Sequence, residues 1–86
     1  MHTRTVIVGS RVGLHARPAA IIAEAADEFD TDVFIGVPGD EAVEANSALL
    51  IMSLGAGPGV SVEVSGDDAT AVDAIATLVE KDLDAT

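Results

Sequence analysis

The chain has 86 residues, no cysteine, and 15 Asp and Glu against 4 Lys and Arg, for a formal net charge of −11. That length supports one hydrophobic core rather than two catalytic lobes, and the absent thiols exclude disulfides, thiolate nucleophiles and thiolate metal sites. So acidic a surface repels nucleic acid and anionic membrane, and neither is expected as a partner.

The run Thr-Arg-Thr-Val-Ile-Val at 3–8 is β-rich and predicts a first strand. It is too short for a signal peptide or a membrane span, so no membrane insertion and a cytoplasmic location are expected. Gly9, Ser10 and Gly13 punctuate a loop. Apolar Ala19, Ile22, Ala23, Ala26 and Phe29 then recur at helical spacing and predict a helix over 16–28, with Pro18 in the first turn, where its missing N–H costs nothing. Asp30-Thr31-Asp32 ends it. A second strand at 33–37, a Pro38-Gly39-Asp40 turn and a third strand at 41–44 form a hairpin. A short helix at 47–54 is closed by Gly55, and Gly57-Pro58-Gly59 makes a loop. Residues 60–64 alternate strictly as a fourth strand. Asp67 or Asp68 caps a last helix with Val72, Ile75, Ala76, Val79 and Leu83 on one face. The order βαββαβα predicts a single α+β domain over 1–86. Its architecture would be an open-faced β-sandwich, a four-stranded, mainly antiparallel sheet covered on one face by three helices.

The chemistry concentrates in Gly13-Leu14-His15-Ala16-Arg17-Pro18-Ala19-Ala20, where the loop turns into the helix. An exposed helix start binds anions, because first-turn amides such as those of Ala16 and Arg17 lack intrahelical acceptors and the macrodipole adds positive character. His15 sits at that mouth, and an imidazole is partly neutral and nucleophilic near pH 7. Arg17 is a permanent cation whose planar fork suits phosphate oxygens. It also opposes the helix dipole, which asks for an anion nearby. His2 and His15 are the only histidines and show no His-x-His or Glu-x-x-His spacing, so no metal site is expected. With no second acid or base beside His15 and no nucleotide loop, a self-sufficient enzyme is not expected.

Residues 48–54 are more apolar than one buried helix face requires. With Leu50, Ile51 and Leu54 turned inward, Ala48, Leu49 and Met52 would remain exposed as a docking surface. On the first helix Arg17, Ala20, Ile21 and Glu24 share a face, with Asp27 nearby.

The motif around His15 resembles the active-site signature of HPr, the histidine-containing phosphocarrier of the phosphoenolpyruvate-dependent sugar phosphotransferase system. The block Asn46-Ser47-Ala48-Leu49-Leu50-Ile51-Met52-Ser53-Leu54-Gly55 is similar to the family's regulatory-serine segment. The resemblance implies that His15 accepts phosphate on Nδ1 from Enzyme I and passes it to a sugar-specific IIA component, as a phosphohistidine carrier and not an enzyme. Arg17 and the amide of Ala16 would hold the phosphate, with docking through Ala20, Ile21, Ala48, Leu49 and Met52, and the carrier would act as a monomer. Ser47 aligns with a serine that a dedicated kinase phosphorylates in some lineages; by itself it is first of all an N-cap. The alternatives are a carrier of a regulatory or dihydroxyacetone kinase relay, or a binding module without transfer. The chain departs from a common family pattern at Glu24 and Asp27, where many members carry lysines.

An acidic, lysine-poor, alanine-rich chain suits a salt-rich cytoplasm, where a Debye length of roughly 3 Å at about 1 M screens self-repulsion. A halophilic source is the expectation this supports.

Overall fold

The computed structural model describes residues 1–81. In chain order the elements are β1 (His2–Ile7), α1 (Ala16–Asp27), β2 (Val33–Gly36), β3 (Val43–Glu44), α2 (Ala48–Ser53), β4 (Ser61–Gly66) and α3 (Ala69–Glu80). The order βαββαβα is the expected one. The strands form a single sheet in the order β1-β4-β2-β3, every neighbouring pair antiparallel.

Side-chain alternation gives this sheet two unlike faces. Val6 opposes Val62 and Ile35 opposes Val64 on the covered face, and all four are buried. The intervening residues Thr3, Thr5 and Ile7 of β1 lie on the open face and are exposed. The three helices close the core with Ile22 from α1, Ile51 from α2 and Ile75 from α3, each fully buried. Along α1, Ala19, Ile22, Ala23 and Ala26 form the inward stripe that the spacing predicts, with Pro18 buried ahead of them, while Phe29 falls past the end of the helix and is half-buried.

Element ends differ from the sequence reading where tertiary pairing decides them. The third strand has two paired residues, Val43 and Glu44, instead of four. Asp40 N–H closes a turn onto Val37 O at 3.0 Å, and Glu41 and Ala42 complete the reversal before pairing begins. β4 runs on to Gly66, which pairs with His2 on one side and Val33 on the other. Asp68, not Asp67, caps α3, accepting from the N–H groups of Thr70 at 2.9 Å and Ala71 at 3.4 Å. The expected place of Leu83 on that helix falls outside the described residues.

The end of α3 braces the loop that follows β1. Gly9 N–H donates to Val79 O at 3.0 Å, giving one terminal carbonyl of the helix a partner. The approach is so close that a Cβ on Gly9 would overlap Glu80 O, so the position requires glycine.

Candidate functional site

The start of α1 is built as the spacing predicts. His15 is the N-cap, with extended backbone (φ −81, ψ −170), and its ring makes no capping hydrogen bond. The imidazole is exposed to solvent. The helical ladder opens with Ala19 N–H donating to His15 O at 2.9 Å. The amides of Ala16 and Arg17 precede that first rung, and Pro18 has none to offer. Ala16 and Arg17 are exposed while Pro18 is buried, so the proline anchors the turn and leaves its outer side open. No acidic side chain occupies this first turn. An anion arriving here meets a helix N-terminus and a guanidinium within three consecutive residues.

The loop before His15 is held from below. Ser10 is only 2% exposed, and its Oγ accepts Val12 N–H at 3.4 Å, while Gly13 N–H donates to Ser10 O at 3.1 Å. Arg11 is exposed on this loop, whereas Ser10 lies beneath it. Leu14 is buried and its N–H donates to Ala56 O at 2.9 Å, joining the motif to the loop after α2. Together these elements border an open depression of about 300 Å³ beside His15, walled by Val12, Leu14, Met52 and the main chain from Gly55 to Gly57.

The partition of α2 differs from the expected one. Ile51 is buried as predicted, Leu54 is half-buried, and Leu50 is 39% exposed instead of inward. Ala48 and Met52, expected on the outside, are half-buried and pack on the core. The reason is angular. At about 100° per residue, positions 48, 51 and 52 share one stripe and 49 and 50 point away from it. Leu49 is 74% exposed, as expected. Val12, at 49%, and Leu50 join it in the exposed apolar surface; both were missed, and the signal for Val12 was an apolar residue inside a glycine-punctuated loop. On α1, Ala20 is exposed and Ile21 half-buried, on the same side as exposed Arg17, Glu24 and Asp27. Ser47 is the N-cap of α2, its Oγ accepting Leu50 N–H at 3.3 Å.

A second hollow, at the far end of α1, is lined by Asp27, Asp30, Asp32 and Glu44, whose charge opposes an anion. Among the described residues, no group of three His, Cys, Asp or Glu side chains is placed to hold a metal ion. Among the same residues, no helix is long and apolar enough to cross a membrane.

A family model for the PTS HPr component phosphorylation site matches residues 2–81. The chain belongs to the HPr family. It is 46% identical over 71 residues to the phosphocarrier protein HPr of Haloferax volcanii, covering 79% of this chain and 80% of that one. To the phosphocarrier protein HPr of Treponema pallidum it is 40% identical over 83 residues, covering 93% of both. The crystal structure of HPr from Thermoanaerobacter tengcongensis superposes with a TM-score of 0.85 at 31% identity, over 98% of this chain and 97% of that one. The HPr fold is thus the open sheet with three helices described above. Membership makes the chain a phosphocarrier of the phosphotransferase system and not an enzyme.

Proposed function

We propose that His15 is the phosphoacceptor of this HPr, taking a phosphoryl group that originates in phosphoenolpyruvate from Enzyme I and giving it to a sugar-specific IIA component in the cytoplasm. The observation that carries the reading is the position of His15: an N-cap whose exposed imidazole is not engaged in capping, one residue before open first-turn amides.

With the ring neutral and its proton on Nε2, the Nδ1 lone pair attacks phosphorus. The Nδ1–P bond forms as the bond from phosphorus to the donor breaks, and the donor atom keeps that electron pair. The amide of Ala16, the amide and guanidinium of Arg17, and the helix dipole compensate the charge on the phosphoryl oxygens. Onward transfer is the same step reversed toward IIA.

Exposed Leu49, Leu50 and Ala20, with half-buried Ile21, Ala48 and Met52, supply an apolar docking surface next to this helix start. The carrier would work as a monomer, and no cofactor is required of it. Ser47 serves first as a cap, accepting Leu50 N–H, and a phosphate on its Oγ would add negative charge at the docking surface and disturb the approach of Enzyme I. The net charge of −11 is read as adaptation to a salt-rich cytoplasm.

Incubation with labelled phosphoenolpyruvate and the cognate Enzyme I tests the relay. Label that is acid-labile and base-stable is expected; acid-stable label, or none, would refute the reading.

A further inference from the structure

We propose that Gly13 and the main chain at Ala56 are positioning elements for His15, fixing the phosphoacceptor from a loop 41 positions further along the chain. The inference rests on His15 being the acceptor.

The segment leading to His15 is bracketed by two hydrogen bonds to one loop. At its beginning Gly59 N–H donates to Val8 O at 3.1 Å; at its end Leu14 N–H donates to Ala56 O at 2.9 Å. Between them the chain folds over buried Ser10 and must then swing outward to present residue 15. Gly13 makes that swing with φ +74, a conformation that opposes a side chain. Space forbids one as well. A Cβ on Gly13 would lie 2.6 Å from Ala56 O and 2.8 Å from Gly57 Cα, both backbone atoms that cannot rotate away. The same carbonyl, Ala56 O, therefore sets how near Gly13 lies and holds the N–H of the next residue.

Leu14 completes the clamp through its buried side chain, so the residue before His15 is fixed at both main chain and side chain. The ring of His15 has no capping bond to restrain it, and its main chain is held between Leu14 on one side and the first rung of α1 on the other, so a shift of Leu14 would turn it against the Ala16 and Arg17 amides. Displacing the Ala56 loop would move the imidazole relative to the amides meant to receive the phosphoryl oxygens. Such misalignment acts on the rate of transfer and not on partner binding, because the exposed apolar surface of α1 and α2 is untouched.

Two variants of the full chain test this. Gly13→Ala introduces the clash. A chemically synthesised chain with an ester in place of the Leu14 amide removes the N–H that Ala56 O accepts without adding a side chain. With each as the substrate of cognate Enzyme I, kcat is expected to fall about tenfold or more for Gly13→Ala, as small misplacements do, and by a smaller factor for the ester. KM should stay close to that of the unmodified chain, and the ring ¹⁵N resonances of His15 should shift. Folded variants with unaltered kcat and unaltered His15 resonances would overturn the proposal, and the ester chain decides alone if Gly13→Ala fails to fold. Should the unmodified chain take no label, the acceptor reading falls by itself, and the ring resonances still decide whether the Ala56 loop positions His15.

Discussion

Arg4 and Glu80 meet at 3.1 Å although 76 positions separate them in the chain. Arg4 stands opposite Val64, on the covered side of the sheet, yet β1 is an edge strand and the guanidinium reaches out to α3. Asp73, two turns earlier on the same face of that helix, lies 3.7 Å away. The only cation of β1 thus joins the sheet edge to the helix covering it. These groups are partly exposed, and exposed pairs contribute about 0–1 kcal/mol. Arg4→Ala should therefore lower the unfolding free energy by about 1 kcal/mol or less at low salt, and by less in molar KCl. Denaturant unfolding at both salt concentrations checks this; a loss that grows with salt would contradict it.

Salt should raise the stability of the whole chain. At −11 the folded state gathers repelling carboxylates within a small surface, and screening relieves that cost. Thermal unfolding followed from low to molar KCl should show a rising Tm. A Tm indifferent to KCl would remove the case for a salt-adapted source.

Asp68→Ala should destabilise the protein by about 1 kcal/mol, since it leaves the N–H groups of Thr70 and Ala71 without their acceptor. Asp67→Ala is the comparison, because Asp67 lies outside the cap, and it should change stability by less than about 0.5 kcal/mol. Equal effects from the two would mean that the cap does not distinguish them.

Where local patterning decides structure, the sequence was readable. The stripe on α1, the alternation of β4 and the proline in the first turn all follow from contacts within a few residues, and each element stands where its period put it. The site was legible for a related reason: a helix start declares itself locally, so His15, Ala16 and Arg17 fall at N-cap, N1 and N2. Other features depend on what packs from afar. Leu50 faces solvent because the stripe of α2 is fixed by its seat on the core, a choice that an almost wholly apolar run does not encode. Gly13 is required because the loop at Ala56 lies against it. The partners of Arg4 sit at the far end of the sequence, where no spacing argument reaches.

Exposed Glu24 and Asp27 on the Arg17 side of α1 bear on partner choice. Enzyme I from a low-salt bacterium should phosphorylate this chain poorly, and Glu24→Lys combined with Asp27→Lys should improve transfer, more at low ionic strength than at high. Initial rates at two salt concentrations check the claim. Efficient transfer to the unmodified chain would show that these acids do not weaken docking.

The central claim concerns one imidazole, and the chain offers only one competitor, His2 on β1. The most direct measurement follows transfer of label from phosphoenolpyruvate through cognate Enzyme I into three chains: unmodified, His15→Ala and His2→Ala. Labelling should be lost in His15→Ala and retained in His2→Ala. Undiminished labelling of folded His15→Ala would contradict the account.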